Sequence, residues 1–114
     1  MLAYLNRLSK QKDFEAVFKN GGLQQNRYLA LRFAPNGLAF CRLAVVTSAR
    51  VDKKAVVRNK IRRRLMEILK PELTKIKAGQ DIVLIVKNPI VVLGFQEINQ
   101  QAKELFKRAK LYAG

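Results

Sequence analysis

Histidine is absent from the chain and cysteine occurs once, at Cys41. An intramolecular disulfide is therefore impossible, and zinc sites built from cysteine and histidine are excluded. A lone free cysteine is expected as a small core residue. The longest apolar runs, such as Ile82 to Val86, fall far short of the roughly 20 residues that span a bilayer. The opening "MLAYLNRLSK" has no signal-peptide apolar region, so a cytoplasmic protein is expected. Acidic residues are also scarce, with 8 Asp plus Glu against 23 Lys plus Arg and a formal net charge of +15. Such an excess costs the compact state self-repulsion, and a polyanionic partner explains it best: nucleic acid first, an anionic membrane second.

What is present fits a packed globule. Hydrophobic residues make up 49% of 114 residues, enough for one modest core, so residues 1–114 are expected to form a single domain. No internal repeat or linker-like stretch interrupts them. Ser9 can cap a first helix running to about Asn20, with Asn20-Gly21-Gly22 as a left-handed stop and Phe14, Val17 and Phe18 on one face. From Asn26 to Ala34, Leu29, Leu31 and Phe33 alternate with Tyr28, Ala30 and Arg32, predicting a half-buried strand that ends at Pro35-Asn36-Gly37. Phe40 to Ser48 reads as its hairpin partner. Asp81 to Pro89 reads as an interior strand covered on both faces. Phe95, Ile98, Ala102, Leu105, Phe106 and Ala109 form the apolar stripe of a last helix, opposite Lys103, Lys107 and Lys110. The predicted class is α+β: three helices on a small, mainly antiparallel sheet, in the order α-β-β(-β)-α-β-α.

The segment between these strands carries the functional signal. At about 100° per residue, Val57, Ile61, Leu65 and Ile68 cluster on one side of a helix that stops near Pro71. Arg58 and Arg62 line one edge with Asn59 beside them, and Lys60, Arg63 and Arg64 sweep around the back. From Lys53 to Arg64, seven of twelve residues are cationic and none is acidic. Repulsion between neighbours such as Arg58 and Arg62 costs a few tenths of a kcal/mol per pair. A run of one sign, left without acidic partners, is the pattern of a phosphate-binding face. Guanidinium can contact phosphate or a base edge in bidentate fashion, and the Asn amide both donates and accepts.

Four segments in order resemble one family. "KAVVRNKIRRRLME" (Lys54 to Glu67) resembles the signature helix of the protein subunit of bacterial ribonuclease P, "KDFEAVFKNG" (Lys12 to Gly21) its first helix, and "NRYLALRF" and "RLAVVTSAR" two of its strands. The likeness covers roughly residues 7–110. It implies a ribonucleoprotein endonuclease that removes the 5′ leader of precursor tRNA, in which the RNA subunit and its bound magnesium perform the hydrolysis. The protein then supplies no catalytic residue and no metal ligand, and binds one RNA per chain. By position, Arg50, Lys53, Lys54, Arg58, Asn59, Lys60, Arg62 and Arg63 are implied to contact the catalytic RNA. Phe14, Phe18, Arg32 and Val46 are implied to form the leader cleft, where aromatic faces stack on bases without demanding one sequence. The family also implies a left-handed crossover, against the general right-handed preference. Lys60 replaces the family's usual arginine, Ser48-Ala49-Arg50 carries one cation where two are usual, Ala44 replaces glycine and Arg32 a frequent tyrosine.

The residues themselves agree with this division of labour. The eight carboxylates, Asp13, Glu15, Asp52, Glu67, Glu72, Asp81, Glu97 and Glu104, show no close pair suited to two catalytic metals. A structural RNA-binding protein, such as a ribosomal component, shares the size and charge. It has no reason to combine Phe14 and Phe18 with Arg58-Asn59 in this order. A nucleoid DNA-binding protein is disfavoured because no helix-turn-helix spacing is evident, and a membrane-surface role because residues 53–64 lack a lipid-inserting face.

Overall fold

The computed structural model describes residues 7–47, 51, 53–87 and 94–112. The chain runs α1 (Gln11–Asn20), β1 (Gly22–Gln25), β2 (Leu29–Pro35), β3 (Arg42–Val46), α2 (Ala55–Leu69), a short 3-10 turn (Pro71–Thr74), β4 (Gln80–Val86) and α3 (Phe95–Arg108). The α+β class and the helix-strand order are those expected. The strands form one sheet in the order β1-β2-β4-β3. β1 and β4 each pair antiparallel with β2, whereas β3 and β4 are parallel and joined through α2.

The expected hairpin between β2 and β3 does not form, because β4 lies between them. Its apolar run, Ile82 to Val86, is closed on both edges by β2 and β3, and Ile82, Val83 and Leu84 are fully buried. The turn after β2 instead serves this central strand. Asn36 donates from Nδ2 to the Asp81 carboxylate at 2.8 Å and to the Phe40 carbonyl at 3.2 Å. Gly37 and Gly79 take positive φ here, 71° and 83°. A Cβ on Gly79 would meet the Leu38 carbonyl oxygen at 2.9 Å, so that position requires glycine.

Alternation along the strands gives the sheet two faces. One carries Leu29, Leu31, Leu43, Val45, Ile82, Leu84 and Val86, packed on Leu65, Ile68 and Leu69 of α2 and Ile98, Ala102, Leu105 and Phe106 of α3. Val57 and Ile61, expected within the buried stripe of α2, are only half-buried, and the helix is buried at its C-terminal end through Leu65, Ile68 and Leu69. Cys41 is buried in this core, and its Sγ lies 2.9 Å from the Lys77 carbonyl oxygen. The opposite face is covered over part of its area by α1, through Leu8, Val17, Ala34, Ala44 and Val83. Among the described residues no helix is long and apolar enough to cross a membrane.

The first helix begins later and ends differently than expected. Leu8 donates its amide to the Leu43 carbonyl at 3.0 Å, pinning the preceding chain along the outer edge of β3. The cap position therefore falls at Lys10, without a side-chain cap bond, and Ser9 is not the cap. At the other end Gly21 is extended, with φ −87°, and not left-handed. Glycine is needed there for close approach: a Cβ would lie 2.4 Å from the Val17 carbonyl oxygen and 2.6 Å from that of Phe33.

Candidate nucleic-acid interface

Burial of Leu65, Ile68 and Leu69 fixes the rotation of α2 and turns its basic residues outward. Lys53, Lys54, Asn59, Lys60, Arg62, Arg63 and Arg64 are exposed, and Arg58 is half-buried at the edge of the packed stripe. The first turn holds no acidic residue, so the positive end of the helix dipole adds to the side-chain charge. Two contacts order this surface. Arg58 donates from Nη1 to the Lys53 carbonyl at 3.0 Å, and Arg62 donates from Nη2 to Asn59 Oδ1 at 2.7 Å. The latter uses the Asn59 amide oxygen and one nitrogen of the Arg62 fork, and both side chains carry further donors. Val56, 76% exposed, stands among these cations as an apolar residue that the fold does not use. Arg50 lies outside the described residues, as do Ser48 and Ala49.

The second group gathers on the sheet face that α1 only partly covers. Phe14 is half-buried against the Val17–Val83 cluster, while Phe18, one turn on, is 43% exposed. Arg32 holds Phe18 from the sheet: its guanidinium carbon lies 4.9 Å from the ring centroid, and Nη1 reaches the Phe18 carbonyl at 3.5 Å. Register places Val46 beside Ile85, and Ile85 beside Ala30, on this same face. Leu23, paired with Arg32 across β1 and β2 and 42% exposed, extends the surface. Leu23 and Ile85 escape a sequence reading: β1 is too short and polar to show alternation, and Ile85 sits in a run apolar at every position. Lys87 closes one end, donating from Nζ to Gln25 Oε1 at 2.9 Å and to the Asn26 carbonyl at 2.7 Å.

An ion network sits beneath α1. Arg42 donates from Nε and Nη2 to the Asp81 carboxylate at 2.7 and 2.6 Å, and from Nη1 to Asp13 at 3.1 Å. The hydrogen bond with Asp81 is the main cause that raises the Arg42 guanidinium above its ordinary range, and burial opposes it. Among the described residues Glu72 is the other buried carboxylate, and it faces Lys103 at 3.4 Å and Lys75 at 4.0 Å. Beside it Tyr112 is pushed up to about 12, first by burial, then by the negative charge of Glu72 and a hydrogen bond to it. Asp81 and Glu72 are thus each engaged by cations of the protein, an environment unlike that of a magnesium ligand. The arrangement suits binding: a cationic helix for phosphates, and a half-apolar sheet face with the exposed ring of Phe18.

Together the fold and this surface define a small cationic α+β protein whose charge is concentrated on the helix of a β-α-β unit. The model of the family Ribonuclease P matches residues 2–110. The ribonuclease P protein component of a Cyanothece species is 33% identical over 130 aligned positions, covering all of this chain and 99% of that protein. That of Caldanaerobacter subterraneus is 30% identical, covering 95% of this chain and 92% of the relative. Among solved structures, the RNase P protein of Staphylococcus aureus superposes with a TM-score of 0.86 at 28% identity, covering 95% of this chain and 98% of that one. The Thermotoga maritima RNase P protein gives 0.81 at 32% identity, over 90% and 96%. The chain belongs to the ribonuclease P protein-component family.

Proposed function

We propose that this chain binds the catalytic RNA of ribonuclease P through α2 and the 5′ leader of precursor tRNA through the sheet face beside Phe18, assisting removal of that leader. One protein joins one RNA in the cytoplasm, and the RNA with its magnesium performs the hydrolysis. The observation that carries this reading is the segregation on α2: an apolar side spent on the core, and seven cations from Lys53 to Arg64 without one acid. Such a surface neutralises several closely spaced phosphates and gives salt-dependent affinity. Arg58, Arg62 and Asn59 supply the oriented donors for specific contacts. Arg32 and Phe18 form a cation-backed ring on which an unpaired base can stack.

The test is reconstitution. Purified protein added to a bacterial ribonuclease P RNA at low magnesium is expected to restore cleavage of precursor tRNA at its 5′ end. Failure to stimulate cleavage, with the protein folded and the RNA active at high magnesium, would refute the proposal.

A further inference from the structure

α1 is lightly anchored for an element that carries the wall of a binding surface. Val17 is its one fully buried side chain, against a satellite cluster that also includes two alanines, Ala34 and Ala44. Beside the long 3.5 Å contact from Arg32 to the Phe18 carbonyl, its polar attachment to the sheet is Asp13, one residue before Phe14, whose carboxylate accepts from Arg42 Nη1 at 3.1 Å. Arg42 is itself immobilised by two bonds to Asp81 on the central strand, and Asp81 in turn accepts from Asn36. The chain of contacts runs from the rigid centre of the sheet to the first turn of α1. Rotating or sliding the helix would break its last link and carry Phe18 away from Arg32.

We infer that the Asp13–Arg42 bridge is a positioning device for leader recognition, setting where α1 holds Phe18 over the sheet face. It rests on the leader site proposed above. The sign of the effect separates this role from bulk electrostatics. Asp13 is an anion near a surface that takes a polyanion, so its removal should strengthen RNA binding if only charge mattered. Positioning requires the opposite.

Arg42→Ala would also strand the Asp81 charge and could unfold the protein, so Asp13 is the informative site. Affinities for precursor and mature tRNA are measured with the reconstituted holoenzyme, beside affinity for the catalytic RNA and the urea unfolding midpoint of the protein. Asp13→Ala is expected to weaken precursor binding about 3- to 5-fold, the upper part of the range for a single ion pair, both partners here being only 19% exposed while Arg42 keeps its bonds to Asp81. Mature tRNA, catalytic RNA and the unfolding midpoint should be little changed. Asp13→Asn, which keeps an acceptor for Arg42 without the charge, should retain most of the precursor affinity. The double variant Asp13→Ala/Phe18→Ala should bind precursor no more weakly than Phe18→Ala, because the bridge acts through that ring.

If Phe18→Ala weakens precursor binding while Asp13→Ala leaves it unchanged or tighter, the leader site survives and the positioning role is wrong. Independent, multiplying losses in the double variant overturn it too, as do equal losses for both tRNAs accompanied by a lower unfolding midpoint. If Phe18→Ala does not discriminate precursor from mature tRNA, the leader site falls and the positioning role with it.

Discussion

Phe14 and Phe18 lie one helical turn apart on α1, yet the fold gives them different work. Phe14 packs in the satellite cluster, and Phe18 leaves 43% of its surface exposed beneath the Arg32 guanidinium. Phe14→Ala should lower stability by about 2 kcal/mol, because apolar area returns to water. Phe18→Ala should cost less, about 1 kcal/mol, since 43% of the residue is already exposed. Its effect should appear in the assembled enzyme, as a loss of roughly 1–3 kcal/mol in binding precursor tRNA with mature tRNA unaffected. Urea unfolding of both variants beside the two tRNA affinities checks the division, and equal stability losses would contradict it. Tyr112 offers a second test at this scale. Its folded value of about 12 lies above the ordinary 10, so its contribution to stability is complete below pH 10 and is lost as pH rises toward 12. Absorbance titration should show a tyrosine component ionising near pH 12, and Tyr112→Phe should abolish it.

At the scale of elements, the end of α3 carries a local conflict that a single substitution should relieve. Lys110 takes φ 57° in a Schellman closure, its amide bonded to Lys107 and that of Leu111 to Phe106. A lysine there bears a left-handed penalty that glycine does not, so Lys110→Gly should raise the melting temperature by the equivalent of about 0.5–1 kcal/mol. An unchanged or lower value from calorimetry would argue against this closure. The conflict was invisible in the sequence, where Lys110 reads as one more cation opposite the apolar stripe. What was legible follows the same logic. Ile98, Ala102, Leu105 and Phe106 repeat at helical spacing and are buried; Ile82 to Leu84 are apolar without alternation and lie at the centre of the sheet. Pairing was not legible, because the turn at Pro35-Asn36-Gly37 suits a hairpin equally well. Asn36 and Arg42 reach Asp81 more than thirty-five residues away, and no local pattern reports such a contact. In the candidate site, the cations of α2 announce themselves by sheer density, whereas Leu23 is chosen only by its register opposite Arg32.

For the whole molecule the net charge of +15 is an unresolved load until something anionic meets it. Sulfate or phosphate should raise the melting temperature more than chloride at equal ionic strength, by occupying the native cationic face and by general exclusion. Indifference to the anion would count against a phosphate-binding face. In the same spirit Arg58→Ala should weaken binding to the catalytic RNA by about 1–3 kcal/mol, the strength of a charge-assisted hydrogen bond, as measured by titration at fixed salt.

The central position of β4 has a consequence for synthesis on the ribosome. β2 and β3 are made first, but the strand that each must pair with along one edge is the last of the four to be translated. Until Val86 has cleared the exit tunnel, the nascent chain holds two apolar strands with open edges and a basic helix with no completed sheet to pack on. Closing loops of this length comes late in folding. Stalled chains ending before Gln80 should therefore remain protease-sensitive throughout, and resistance should appear only once β4 can insert and α3 can cover the core that Leu105 and Phe106 complete.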